Sequence, residues 1–74
     1  MAQDLHDQIV KDLKDGKFRW IAKNEIYWEY KKRINMDEQE FTKRVLPYVL
    51  DNLYRDAEVE RVMSEGKMVW AIKS

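Results

Sequence analysis

Gln39, Thr42, Lys43, Arg44 and Tyr48 are the residues of this 74-residue chain whose types and spacing offer the most specific chemistry. On one helix they would line its polar side. Arginine can chelate guanine, glutamine can pair with the edge of adenine, and lysine or tyrosine can bond phosphate. Glu38, Glu40 and Asp51 share that surface, so a plain solvated helix face is the competing reading. Lys23, Lys31 and Lys32 form a second group. They would either meet a phosphate backbone or, for Lys31 and Lys32 with Arg33, complement the negative end of a helix dipole. Around a turn at Glu65-Gly66, Arg61, Ser64, Lys67 and Lys73 would grip phosphate or serve only as edge-strand charge against aggregation.

Other chemistry is poorly supplied. His6 is the one histidine and cysteine is absent, so neither a metal site nor a triad can be assembled, and His6 is read as structural. Serine occurs only at Ser64 and Ser74, and there is no glycine-rich phosphate loop. The carboxylates fall at solvated helix spacings. No enzyme activity, cofactor, metal or small-molecule ligand is expected. Trp28 stands apart, because helical phase puts it between Lys31 and Lys32: it either forms a stacking or protein-contact surface or lies beneath the first helix or the terminal strands.

These side chains need elements to position them. Asp4 is placed to cap a first helix with Leu5, Ile9, Val10 and Leu13 on one side and Gly16 as its terminating glycine. Phe18–Ile21 carries strand-favouring side chains and would add a short third strand to a terminal hairpin. Asn24 opens a second helix in which Ile26, Tyr27, Tyr30 and Ile34 share one ~100° arc. A tight turn over Asn35-Met36-Asp37 follows. Asp37 and Glu40 form a capping box for a third helix whose apolar half is Phe41, Val45, Leu46, Val49, Leu50 and Leu53. Pro47 must kink that helix or break it in two. Val59–Met63 and Lys67–Ile72 alternate around Glu65-Gly66, with Val59, Met63, Met68, Trp70 and Ile72 on a buried face and the other face wet.

A chain this short holds one domain, spanning residues 1–74, and its aromatic side chains must supply much of the core. Lys and Arg balance Asp and Glu at 14 each, which argues against a dedicated nucleic-acid binder with a basic excess. No apolar run approaches the ~18 residues of a membrane span, and the N-terminus lacks a leader pattern. A soluble, cytoplasmic protein without membrane contact is expected.

The order helix, short strand, helix, turn, helix, two-stranded ribbon resembles the winged helix-turn-helix family. Phe18–Ile21, the turn Ile34–Asp37 and the ribbon Glu60–Ala71 carry the resemblance. It implies an α+β fold of three helices with a C-terminal hairpin wing. It also implies double-stranded DNA as partner, with the third helix in the major groove, the wing on the backbone and a role in transcription regulation; because a single module makes a modest interface, a homodimer on DNA is expected. Proline in the reading helix and an acid at the wing turn depart from the family's pattern. The alternative is a protein-interaction module of the same fold, contacting a larger machine such as a polymerase or nuclease through Trp28. The brevity of the chain suits a viral or plasmid regulator.

Overall fold

In the computed structural model, which describes residues 1–73, α1 (Ala2–Lys14) leads to β1 (Ile21–Ala22) and a 3-10 turn (Lys23–Glu25). Then come α2 (Ile26–Glu29), α3 (Glu38–Arg44), α4 (Leu46–Arg55), β2 (Val59–Ser64) and β3 (Lys67–Ile72). The class is α+β, with four α-helices among the described residues where three were expected.

The stripe Leu5, Ile9, Val10 and Leu13 is buried, as the helical spacing requires. Asp4 does not cap α1; it lies in the first turn, where its charge faces the positive end of the dipole. At the other end Gly16 has φ +78°. Gly16 N–H donates to Leu13 O and Lys17 N–H to Asp12 O, a Schellman ending that needs the left-handed glycine.

The second helix is much shorter than its periodicity predicts. It ends at Glu29, and Tyr30 leaves helical geometry at φ −114°, ψ 21°. Tertiary contacts override local preference here. Tyr30 is buried, donates to Asp12 and meets Phe18 edge-on at 6.5 Å, while Tyr27 Oη donates to Met36 O at 2.9 Å. Residues 30–37 therefore form a pinned link in place of three residues of tight turn.

Asp37 caps α3 by accepting the Glu40 N–H at 2.8 Å. The expected long third helix breaks at Val45 (φ −116°, ψ −46°), which leaves Pro47 in the first turn of α4, where a missing N–H costs no helix bond. Phe41, Leu5, Ile9, Ile26, Val49 and Leu53 are fully enclosed, with α1 packed against α4.

The sheet is antiparallel in the order β1-β3-β2. The predicted strand at Phe18–Ile21 is displaced toward the C-terminus: Ile21 pairs with Trp70 and Ala22 with Val69. In the hairpin Ser64 pairs with Lys67 around Glu65 (φ 53°) and Gly66 (φ 79°), a left-handed two-residue turn of type I′. Val59, Trp70 and Ile72 face the core as expected. Met63 and Met68, opposite each other on that face, overhang it and are 65% and 49% exposed. The other face is not simply wet, because Val69 points there and is fully buried, with β1 and the 3-10 turn packed beside β3.

Candidate nucleic-acid interface

Four predicted contact residues, Gln39, Thr42, Lys43 and Arg44, come together on the outer side of α3 and line a shallow groove there. All four are exposed. Phe41 pointing inward with no exposure sets this rotation, since one helix position fixes the phase of its neighbours. Charge divides along the helix: Asp37, Glu38 and Glu40 stand at its N-terminal end and Lys43 and Arg44 at its C-terminal end. Each group complements the dipole end that it meets. Tyr48 is 64% exposed but belongs to α4, so the break at Val45 removes it from the α3 face.

The second group is rearranged too. Lys23 lies in the 3-10 turn, and Lys31 and Lys32 lie in the link after α2, so none of them is on the second helix. All are exposed. Trp28 is on α2, 56% exposed, edge-to-face with Tyr27 at 5.1 Å and covered by neither α1 nor the hairpin. Lys31 Nζ lies 5.1 Å from the Trp28 ring centre.

At the hairpin, Ser64 and Lys67 flank the turn directly opposite each other. Arg61 is separated from them. Its guanidinium lies 4.6 Å from the Tyr54 ring centre and 5.8 Å from that of Trp70, so it caps aromatic surface beside α4.

Ion pairing is uneven. Lys11, Lys14, Lys17 and Arg55 pair with Asp15, Glu58, Asp12 and Asp51 respectively, Lys17 also approaching Glu29. By contrast, Lys23, Lys31, Lys32, Lys43, Arg44 and Lys67 have no carboxylate within 4.0 Å among the described residues. Asp37, Glu38, Glu40, Glu60 and Glu65 are likewise without a cation within 4.0 Å among the described residues, so it is the pairing that concentrates along α1 and its neighbours.

His6 acts as a joint. Nε2 lies 2.8 Å from Asp56 Oδ2 and Nδ1 3.0 Å from Asp7 Oδ1, linking α1 to the α4–β2 junction. The Glu58 N–H holds the Asp56 carboxyl below its ordinary value, against the effect of burial and with help from His6. No three His, Asp or Glu side chains among the described residues converge as metal ligands. No described helix is long and apolar enough to cross a membrane.

Sequence reasoning missed a second surface. Phe18, Arg19, Trp20, Ile21, Glu25, Trp28 and Glu29 line a groove between the segment entering β1 and α2. Lys67 Nζ lies 5.5 Å from the Trp20 ring centre. The eight-residue separation of the two tryptophans carries no periodic signal across a strand, a 3-10 turn and a helix. No family model, curated protein or solved structure matches the chain.

Proposed function

We propose that the chain is a winged helix-turn-helix protein that binds double-stranded DNA, with α3 toward the major groove and the β2–β3 hairpin against the backbone. The observation that carries this reading is the set of exposed cations without carboxylate partners on the 3-10 turn, the α2–α3 link, the end of α3 and the hairpin turn. Phosphate contacts dominate affinity for duplex DNA, and a cation free of a protein carboxylate is the one that can replace a condensed counterion. Arg44, with Gln39 and Thr42, reads base edges; Lys43 and Lys67 hold phosphate. Tyr48 reaches the backbone from α4.

One module of this size makes a modest interface, so specific binding calls for a homodimer that sets two readers about one helical turn apart. Transcription regulation follows as the role of such a dimer. A second reading, a protein-interaction module, is favoured by the bare Trp28 indole and by the acids at the start of α3.

Amide-resolved NMR titration with a short mixed-sequence duplex, at low and then physiological salt, separates the two. Shifts at Gln39–Arg44 and Ser64–Lys67 that fade with salt are the expected result. A spectrum unmoved at low salt overturns DNA binding and leaves the protein-contact reading.

A further inference from the structure

We propose that the groove between the β1 entry segment and α2 binds unpaired bases of a single nucleic-acid strand, using Trp20 and Trp28 as stacking platforms. The groove has a volume of about 500 Å³ and is lined by both indoles together with Phe18 and Arg19. Each indole already holds a cation near its ring: Lys67 at Trp20 and Lys31 at Trp28, at 5.5 and 5.1 Å. Aromatic platforms joined to cations are the two parts from which sequence-tolerant single-strand sites are built.

The charge of the groove selects the occupant. Its two carboxylates are engaged internally: Glu25 Oε1 accepts the Ala22 N–H at 3.0 Å, and Glu29 Oε1 stands 3.9 Å from Lys17 Nζ. Arg19, Lys31 and Lys67 have no carboxylate within 4.0 Å among the described residues. Glu25 keeps its charge, since a neutral N–H does not cancel it, so one carboxylate without a cation partner stands against three such cations; the balance is positive, and it lies beside flat π surfaces. A base entering over Trp28 displaces the Lys31 ammonium from the indole, and the ammonium moves to a phosphate of the same strand. An acidic peptide satisfies the charge but leaves the two indole faces without flat partners.

This site shares Lys31 and Lys67 with the duplex reading but has its own diagnostic residue. Duplex binding is read at α3 through Arg44→Ala and single-strand binding at Trp28, so either can fail alone.

The test is titration with an oligothymidylate of about a dozen nucleotides, followed by quenching of tryptophan emission and by anisotropy of the labelled strand. The wild-type chain is expected to bind with quenching, and Trp28→Ala, at an exposed position, to bind about tenfold more weakly. Trp28→Phe keeps a stacking ring and retains more binding than Trp28→Leu, which keeps bulk but no π face. Arg19→Ala lowers the salt dependence. Absence of quenching, equal binding by Trp28→Leu and Trp28→Phe, or equal competition by a glutamate-rich peptide overturns the proposal, the last by assigning the groove to an acidic protein.

Discussion

Tyr30 Oη donates a 2.6 Å hydrogen bond to Asp12 Oδ2, joining the residue that ends α2 to the last turn of α1 across 18 positions of chain. Asp12 is only 7% exposed, and its other oxygen accepts Gln8 Nε2 at 2.9 Å. A carboxylate in such a place is tolerable only while its partners remain. Tyr30→Phe keeps the ring against Phe18 and removes the donor alone. It should cost about 1.5–3 kcal/mol, the range for breaking a buried bond to a charged group. Thermal or urea unfolding measures this, and an unchanged midpoint would sink the claim that this bond holds the α2–α3 link.

The same pair sets a pH dependence. Burial pushes the Asp12 carboxyl up, but hydrogen bonds from Tyr30 and Gln8 with the charges of Lys17 and Lys11 outweigh it and leave Asp12 below its ordinary 3.8. Asp56 is lowered as well. For both, the folded state binds the proton more weakly than the unfolded chain. Their stabilisation is full above the ordinary carboxylate value and is lost as pH falls through the lower folded values. Asp12→Asn should be less stable at neutral pH yet lose less stability between about pH 5 and pH 2. Tyr30, raised by burial and then by Asp12, has the opposite sign: its contribution is full below 10.0 and is lost as pH rises beyond it. Melting curves across both limbs check the two signs.

Local signals in the sequence resolve what is locally determined. The α1 stripe, its ending at Gly16, the cap at Asp37 and the turn at Glu65-Gly66 depend on neighbours within about one helical or hairpin turn. The end of α2 depends on Asp12 and Phe18, both distant in sequence, so an apolar arc reaching Ile34 misled. Pro47 signalled a break, but the break falls at Val45 because proline settles best in the first turn of a new helix. For the site, helical phase was enough to place Gln39, Thr42, Lys43 and Arg44 outward and Phe41 inward. The pairs Lys11–Asp15 and Asp51–Arg55 follow from i,i+4 spacing, whereas the partners of Lys14 and Lys17, and the capping of Tyr54 and Trp70 by Arg61, are products of tertiary packing and leave no mark on spacing.

Glu65 occupies φ 53°, a conformation that costs a non-glycine side chain energy and suits asparagine better. Glu65→Asn should stabilise the hairpin by about 0.5–1 kcal/mol, while Gly66→Ala should destabilise it by about 1–2 kcal/mol. No atom lies within 4 Å of a Cβ added at Gly66, so the second cost is backbone strain alone. Opposite shifts in melting temperature are the expected outcome. Glu65→Asn also removes an acid from the turn beside Lys67, and duplex affinity should rise at low salt.

Arg61 and Lys67 share the hairpin but not a role, and paired substitutions separate them. Arg61 stacks on Tyr54 and Trp70, with Trp70 itself buried, so Arg61→Ala uncovers aromatic surface and should cost about 1 kcal/mol of stability. Lys67 is exposed beside the turn, and Lys67→Ala should leave stability within about 0.5 kcal/mol. On duplex DNA the order reverses. Each phosphate contact contributes about 0.9 to the slope of log affinity against log salt, so Lys67→Ala should lower that slope by about 1 across all sequences. Arg61→Ala should leave the slope unchanged once folding is accounted for. A slope lowered by Arg61→Ala and untouched by Lys67→Ala would place the phosphate contact on the sheet face beside α4 and reverse the orientation proposed for the hairpin.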